Sequence, residues 1–557
     1  GHCTTVMCWP DEIDDVVWSP DGTRLALSAR VRDEARYGHA NPKDQPARVI
    51  DRLVSRLDTA GWTHDRPRHV MVVDVEPDAT PRVISDGPFH DTGVTWSPDG
   101  SLIAFSSGRH DTWDRDMATD LFVVAPDGGE PRRVTQGSGF THAGPSFSED
   151  GSLLAFVRGD RRSFPRHGQV GVVPVGGGAD HLLTTVLDRN CAPYLLPARE
   201  PVWDGGDLWF QVEDAGNLHL YRVAGDGSGK PELVVGGDRW ITSFDVRGGA
   251  VTFTATAPTS LPELFVVAPD GVERQVTSFG APFAAGRELV APERFVATSP
   301  DGTEVEAWLI RPVGFVEGER YPALLNIHGG PYSQYGNKFF DEFQIEAAAG
   351  YVVIYSNPRG SSGYPETYAR AIRGPKAAED PGSGWGGVDF DDVMAVVEAA
   401  IARFGFIDVD RLGVTGGSYG GFLTSWTIGH TDRFKSALSE RAVNNNLSFS
   451  WTSDIGHHFP AGYMGVSHLD DPDEYIRQSP VTYVRDMTTP VMIMHSEDDL
   501  RCPISQAEEL FVALKILGRE VEFVRFPGES HELSRLGAPQ HRVERFERTL
   551  DWFARTL

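Results

Sequence analysis

The chain has 557 residues, which is too long for a single hydrophobic core and predicts two or three domains. Apolar residues make up 40% of it, which indicates a folded protein and excludes a disordered one. The net charge of −28 argues against nucleic acid and anionic membrane surfaces as binding partners.

Cysteine content and hydropathy bear on the cellular compartment. The four cysteines are Cys3, Cys8, Cys191 and Cys502. Their spacing fits no zinc site, and a secreted disulfide-linked protein of this size would use more of them. The chain has no run of eighteen apolar residues, and its first residues resemble no signal peptide. We therefore expect a cytoplasmic protein with no membrane-spanning helix. Because no initiator methionine is present, we also expect the natural N-terminus to be missing from this chain.

A tight-turn phrase recurs through the first 280 residues. It reads Trp-Ser-Pro-Asp-Gly at 18–22 and 96–100, Phe-Ser-Glu-Asp-Gly at 147–151 and Val-Trp-Asp-Gly at 202–205. Proline sets φ, Asp-Gly accepts the left-handed position, and short β-rich runs follow each phrase. The aromatic residues of these phrases lie 78, 51 and 56 residues apart (18 to 96, 96 to 147 and 147 to 203), which is typical of a four-stranded β-propeller unit.

Five such units are recognisable, with a fragment before residue 18. We expect an all-β propeller at residues 1–285 with an incomplete N-terminal blade, and an insertion rich in Arg, Asp and His around residues 33–68. Blades cannot bury their faces singly, which favours a ring of six or seven, some of them degenerate or absent from the chain. An all-β sandwich is the alternative.

From about residue 290 strands alternate with helices. Strands are predicted at 305–310, 323–327, 351–355, 491–494 and 521–526, and helices near 340–349, 388–404, 504–517 and 539–556. This alternation predicts a doubly wound, mostly parallel sheet at residues 286–557.

Residues 416–421 read Gly-Gly-Ser-Tyr-Gly-Gly between a strand-like and a helix-like run. Glycine two residues before and after Ser418 is typical of the nucleophile elbow of α/β-hydrolases, a turn so sharp that it exposes the serine hydroxyl. In a chain with 60 glycines this pattern alone is weak evidence.

A serine nucleophile needs an imidazole to take its proton and a carboxylate to orient that imidazole. In α/β-hydrolases these follow in the order Ser, acid, His, on loops at the carboxyl ends of strands. The loop after 491–494 carries Asp498 and Asp499, and the loop after 521–526 carries His531. His531 is the predicted base, and the spacing leaves both aspartates open as the acid.

The tetrahedral intermediate also needs backbone donors for its oxyanion. We expect the N–H of Tyr419, directly after the serine, to be one of them. The N–H of Gly330, in the His-Gly-Gly-Pro turn at 328–331, is the predicted second donor, because glycine lets the backbone approach the substrate closely.

Five motifs together resemble the prolyl oligopeptidase family of serine peptidases, most closely its acylaminoacyl-peptidase-like branch. They are the turn at 328–331, Asn-Pro-Arg-Gly-Ser-Ser-Gly-Tyr at 357–364, the elbow at 416–421, Asp-Leu-Arg-Cys-Pro at 499–503 and Glu-Ser-His at 529–531. The resemblance is strong over 290–557 and architectural over the propeller. It implies that Asp499, two residues before Arg501, is the acid.

The resemblance implies a serine peptidase that cleaves short or unfolded peptides through an acyl-enzyme on Ser418, with the propeller excluding folded substrates. It implies an acylaminoacyl-peptidase or a related exopeptidase or oligopeptidase, with no cofactor or metal, and assembly into homodimers or larger rings. Arg359, Arg501 and Tyr332 are candidates for substrate binding, although the two arginines equally fit a role in bracing loops.

Three alternatives stay open. A carboxylesterase would use the same triad. A dipeptidyl or carboxy-terminal exopeptidase is a second alternative, although no motif matches the glutamate pair with which dipeptidyl peptidases of this clan hold an amino terminus. A propeller interaction module with an inactive hydrolase domain is the least favoured.

Overall fold

The computed structural model describes residues 5–137, 139–193 and 199–557. Cys3 lies outside these ranges, and the cysteines within them are free thiols. None of the helices in the described ranges is both long and apolar enough to span a membrane.

Residues 13–275 form five consecutive four-stranded antiparallel sheets, of which the last two are joined by one parallel residue pair, Leu218 with Trp240. The strands are β1 Ile13–Trp18, β2 Arg24–Arg30, β3 Arg56–Leu57, β4 Gly61–Trp62, β5 Arg68–Asp74, β6 Arg82–Val83, β7 Thr92–Trp96, β8 Ile103–Ser107, β9 Asp120–Val124, β10 Arg132–Arg133, β11 Phe140–Phe147, β12 Leu153–Asp160, β13 Gln169–Pro174, β14 His181–Leu182, β15 Val202–Asp204, β16 Asp207–Asp214, β17 Asn217–Ala224, β18 Glu232–Val235, β19 Trp240–Arg247, β20 Ala250–Ala257, β21 Ser260–Val267 and β22 Glu273–Gln275. Short helices α1 Glu34–Tyr37, α2 Trp113–Asp116 and α3 Ala281–Ala284 lie in the connections.

The turn phrase has the same chemistry at each of its three strongest occurrences. The carboxylates of Asp21, Asp99 and Asp150 each accept a hydrogen bond from the serine hydroxyl two residues earlier and from the backbone N–H two residues later. These bonds hold the reversal between the first two strands of each sheet. The predicted propeller architecture is therefore confirmed, with one four-stranded sheet for each recognised unit.

The first sheet is interrupted by the insertion between its second and third strands. It has the order β1-β2-β5-β6, because the insertion between β2 and β5 places its last two strands after residue 67. Within the described residues there is no sixth or seventh four-stranded sheet. The insertion contains its own small hairpin, β3–β4.

Residues 293–526 form a single eight-stranded sheet with the order β23-β24-β26-β25-β27-β28-β29-β30. Its first two strands are antiparallel to their neighbours and the other six are parallel. The strands are β23 Glu293–Thr298, β24 Glu304–Ile310, β25 Tyr321–Ile327, β26 Val352–Ser356, β27 Ile407–Gly417, β28 Ser436–Glu440, β29 Val491–Ser496 and β30 Val521–Phe526. This is the predicted doubly wound, mostly parallel sheet.

Ten helices in the described ranges connect and cover these strands. They are α4 Asp341–Ala348, α5 Glu366–Arg370, α6 Val388–Arg403, α7 Tyr419–Ile428, α8 Asn446–Thr452, α9 Phe459–Met464, α10 Pro472–Arg477, α11 Ser505–Ile516, α12 Leu533–Leu536 and α13 Pro539–Thr556. The four predicted helices correspond to α4, α6, α11 and α13. Helices α8 to α10 were not predicted, because each has only six or seven residues and shows no clear apolar period.

Helix α13 closes one face of the large sheet. Trp552 and Phe553 are fully buried and pack with Leu324, Leu438 and Met492 from the central strands. The indole N–H of Trp552 donates to the carbonyl of Ala437 in β28 at 3.0 Å. The helix that ends the chain is thus anchored to the strand next to the one that carries the elbow.

We expect Trp552→Ala to lower the free energy of unfolding by about 3–5 kcal/mol, because it leaves a cavity and removes this buried bond. Urea unfolding followed by far-ultraviolet circular dichroism measures the change. Val543→Ala on the same helix is the control, since Val543 is 57% exposed and its loss should cost less than about 0.5 kcal/mol. Equal unfolding midpoints for Trp552→Ala and the wild type would contradict the expectation.

Candidate active site

Ser418 occupies a strained turn between β27 and α7. Its backbone has φ 62° and ψ −122°, a conformation that costs a non-glycine residue free energy. The turn is held by the Ser418 N–H, which donates to the carbonyl of Glu440 at 3.0 Å. A Cβ on Gly420 would lie 2.0 Å from the carbonyl oxygen of Ile327, so no side chain fits there. This is the nucleophile-elbow geometry, with the hydroxyl at the carboxyl end of the sheet.

The structure brings Ser418, His531 and Asp499 into one hydrogen-bonded line. The Nε2 atom of His531 lies 3.1 Å from Oγ of Ser418, and its Nδ1 atom lies 2.7 Å from Oδ2 of Asp499. Asp499 is buried whereas Asp498 is exposed. Hence, of the two aspartates that spacing alone left open, Asp499 is the one that contacts His531.

Asp499 is held by its own loop as well as by His531. The backbone N–H of Cys502 donates to Oδ1 at 2.7 Å, and Nε2 of His495 lies 3.4 Å from Oδ2. Burial by itself raises the pKa of Asp499, but the charge of His531 and the hydrogen bonds of both histidines lower it overall, so the carboxyl is ionised. Burial raises the pKa of the Cys502 thiol, which therefore stays neutral.

Two segments of backbone lie close to Ser418, the turn that contains Gly329 and Gly330 and the start of α7. Gly329 approaches so closely that a Cβ on it would lie 3.3 Å from the Cβ of Ser418, and Gly330 has φ +125°. Tyr419 is the first residue of α7, where backbone N–H groups lack helical acceptors. Across the described ranges, neither the Gly330 N–H nor the Tyr419 N–H donates to a protein acceptor, so both are available to an oxyanion.

A cavity of about 810 Å³ opens beside Ser418 and His531. Six of its lining residues form an apolar wall: Trp385, Tyr419, Val443, Phe449, Ile455 and Phe459. A second cavity of about 170 Å³ shares Ile455 and Phe459 with the first, and propeller residues that include Arg115 and Arg162 line its other side. The site therefore continues from the hydrolase sheet toward the propeller.

Of the three candidates for substrate binding, Arg501 lines the larger cavity and the other two do not. The Nε of Arg501 donates to Asp454 at 2.8 Å. Arg359 is buried, and its guanidinium forms an ion pair with Asp392, 2.6 Å from Nη2 to Oδ1. Tyr332 is also buried, with its hydroxyl 2.6 Å from Nδ1 of His167 in the propeller.

Sequence reasoning did not identify the apolar wall or two polar residues at the site. Most of the wall comes from α8, α9 and the segments around them, whose short helices leave no periodic signal. His495 is buried beside Asp499 but belongs to the β-rich run of β29. Asp58, from the propeller insertion, accepts hydrogen bonds from both catalytic loops, and nothing but the Asp content of the insertion hinted at it.

The sequence model of the prolyl oligopeptidase family matches residues 337–557. A relative from Bacillus subtilis strain 168, "Uncharacterized peptidase YuxL", is 34% identical over 98% of this chain, and the match covers 84% of that protein. The chain belongs to the prolyl oligopeptidase family of serine peptidases. This confirms the family, the hydrolase activity and the fold class that the motifs implied.

Three further matches show which other proteins the chain is similar to. The acylaminoacyl peptidase of Pyrococcus horikoshii has a TM-score of 0.85 and 26% identity, with 99% of this chain and 82% of that chain covered. An acylaminoacyl peptidase solved in complex with Z-Gly-Gly-Phe-chloromethyl ketone matches with the same values. Dipeptidyl-peptidase 5 of Trichophyton tonsurans is 25% identical over 84% of this chain, which spans 65% of that protein.

Replacing Asp499 tests the assignment of the acid. Asp499→Asn keeps the shape of the side chain but favours the wrong tautomer of His531, so we expect kcat to fall about 10⁴-fold. The measurement is hydrolysis of any chromogenic ester or peptide that the wild type cleaves. The neighbouring Asp498→Asn is the matched control and should stay within about twofold of the wild type, because Asp498 is exposed. Loss of activity in the control with retention in Asp499→Asn would reverse the assignment.

Proposed function

We propose that this family member is an acylaminoacyl-peptidase-like exopeptidase or oligopeptidase that uses Ser418 as nucleophile, His531 as base and Asp499 as the acid that orients it. The observation that carries the proposal is the line from Ser418 through His531 to Asp499 at the edge of a cavity large enough for a short peptide. Arg501, which lines this cavity, is the remaining candidate for a substrate contact.

The proposed chemistry uses only groups of the chain and water. As Oγ of Ser418 attacks the carbonyl carbon, its proton moves to Nε2 of His531, and the carboxylate of Asp499 stabilises the imidazolium. The N–H groups of Tyr419 and Gly330 would bind the oxyanion. The C–N bond breaks as His531 protonates the leaving amine, which leaves an ester on Ser418. Water, deprotonated by His531, then hydrolyses that ester and restores the serine.

The apolar wall supports a preference for a large apolar side chain on the residue whose carbonyl is attacked. Trp385 contacts both Tyr419 and Phe459 edge-on, with ring centroids 5.0 and 6.1 Å apart, so the wall is preassembled. The acylaminoacyl peptidase that binds a phenylalanine chloromethyl ketone is a structural neighbour, which fits the same preference.

Short or unfolded peptides as substrates follow from the family and from the propeller beside the site. The net charge of −28 favours a partner that is neither nucleic acid nor membrane. A cytoplasmic location, a domain boundary between residues 285 and 286, and assembly as a dimer or larger ring complete the proposal.

A substrate panel tests this function. Acyl-amino-acid, free dipeptidyl and carboxy-terminal chromogenic peptides are compared with simple esters on the wild type and on Ser418→Ala. We expect acyl-amino-acid substrates to be cleaved best and Ser418→Ala to lose at least about 10⁴-fold in kcat, because the nucleophile is gone. A fluorophosphonate probe should label Ser418 in the wild type.

Other outcomes of the panel would replace the proposal. Preference for dipeptidyl substrates would point to the activity named in the dipeptidyl-peptidase 5 relatives, and cleavage of esters alone would point to a carboxylesterase. Equal rates for the wild type and Ser418→Ala would remove the assignment of the nucleophile.

Shortening the apolar wall should weaken selectivity. Ile455→Ala is expected to lower kcat/KM for acetyl-phenylalanine substrates about 10-fold and to change acetyl-alanine substrates less, because lost methylenes in a pocket cost about 1–3 kcal/mol. The ratio of the two kcat/KM values is the measurement. Ile476→Ala, at a 42% exposed position in α10, is the control. An unchanged ratio would show that the acyl residue lies elsewhere.

A further inference from the structure

We infer that Asp58, in the propeller insertion, is a positioning residue that holds the two catalytic loops, which carry Asp499 and His531, in their positions relative to each other. The inference rests on the proposed function, because it assigns Asp58 to the same catalytic machinery. It gives the insertion at residues 33–68 a role in catalysis.

The carboxylate of Asp58 accepts hydrogen bonds from the two loops that carry the acid and the base. The backbone N–H of Leu500, the residue after Asp499, donates to Oδ1 at 2.9 Å. The backbone N–H of His531 donates to Oδ2 at 3.2 Å and lies 3.4 Å from Oδ1. One side chain from a distant part of the sequence therefore fixes the main chain beside Asp499 and at His531 itself.

A third segment completes this arrangement. The N–H of Asp58 donates to Oδ2 of Asp454 at 2.8 Å, and the N–H of Asp454 donates to the carbonyl of Leu500 at 2.9 Å. Arg501 donates to the same Asp454 carboxylate. The turn of the hairpin, the acid loop and the segment after α8 are thus joined in one buried hydrogen-bond network.

The hairpin that presents Asp58 is braced against movement. Asp58 follows directly after β3, and Thr59 takes a left-handed φ of 67°. The guanidinium of Arg66 donates to the carbonyl of Ala60 at 2.6 Å, and that of Arg48 lies 4.4 Å from the ring centre of Trp62. A separate contact ties the hairpin to the end of helix α8, from Nη2 of Arg56 to the carbonyl of Thr452 at 2.6 Å.

Asp58 is 5% exposed and is not among the residues that line the cavity beside Ser418. Burial and the charge of Asp499 raise its pKa, which the two donated amide bonds oppose. Burying this carboxylate costs free energy, and the hydrogen bonds that it accepts from the two backbone amides offset that cost. Since Asp58 does not line the cavity, its effect should fall on the geometry of His531 and not on substrate binding.

The consequence is that the propeller completes the active site. Without Asp58 the N–H groups of Leu500 and His531 are left buried and unpaired, and their loops would move to find other partners. A displacement of about 1 Å at a catalytic group can cost about 10²-fold in rate. Activity of the hydrolase sheet is therefore coupled to docking of the insertion.

The test uses the full chain and four variants. For Asp58→Ala we expect kcat to fall about 30- to 100-fold with KM within about threefold, and the rate of fluorophosphonate labelling to fall in parallel. Asp58→Asn should recover part of the loss, because its Oδ1 can still accept the N–H of Leu500 while its NH2 group faces the N–H of His531 and leaves that donor unpaired. Asp51→Asn, in the same insertion with a side chain 75% exposed, should match the wild type.

Arg56→Ala separates positioning from general docking, since it removes the other hairpin contact without touching the catalytic loops. We expect it to lower kcat less than about fivefold. Thermal unfolding midpoints of all variants show whether each one is folded, and if Asp58→Ala is unfolded, Asp58→Asn alone carries the comparison. A wild-type kcat in Asp58→Ala, a loss confined to KM, or an equal loss in Arg56→Ala would overturn the inference. The proposed function fails separately, if the wild type and Ser418→Ala do not differ.

Discussion

The hydrogen bond between His531 and Ser418 is the interaction for which the rest of the structure positions its parts. The imidazole must lie about 3 Å from a hydroxyl that is exposed only because its residue is held at φ 62°. That conformation costs free energy, and it persists because surrounding contacts determine it. The serine N–H bonds to the carbonyl of Glu440, and the neighbouring glycines let β27 and α7 approach β25 closely.

Glu440, whose carbonyl holds the elbow, is itself held in place by ion pairs. The side chain of Glu440 is buried and accepts hydrogen bonds from Arg545 of α13 at 2.8 and 2.6 Å, and from Arg441 at 2.8 Å. Burial opposes ionisation there, but the two arginines lower the pKa of Glu440 to about 2. The carboxylate therefore stays charged at neutral pH, and the strained turn rests on an ion-paired network tied to the last helix of the chain.

The sequence predicts those features that repeat or that need a particular residue type. The glycines around Ser418 and the turn aspartates of the propeller are of this kind, because local chemistry dictates them. The order of acid and base along the chain follows instead from the topology of the α/β-hydrolase sheet. The choice of Asp499 over Asp498 needed the family resemblance, since burial of one of two adjacent carboxylates depends on packing. The apolar wall could not be predicted, because α8 and α9 are too short to show a period and their contacts form only in the folded sheet.

The role of Asp58 could not be predicted from the sequence either. Nothing local distinguishes it from Asp51 or Asp65 in the insertion, and its partners Leu500 and His531 are more than 400 residues away. Its position depends on how the β3–β4 hairpin, which extends from the first blade, docks against the catalytic loops. In the sequence, the insertion that contains this hairpin appears only as a longer interval between the first two turn phrases. A propeller that merely covered the site would need no such contact, because exclusion of folded substrates depends on shape alone. The bonds from Asp58 to both catalytic loops therefore favour a propeller that takes part in organising the triad as well as limiting access to it.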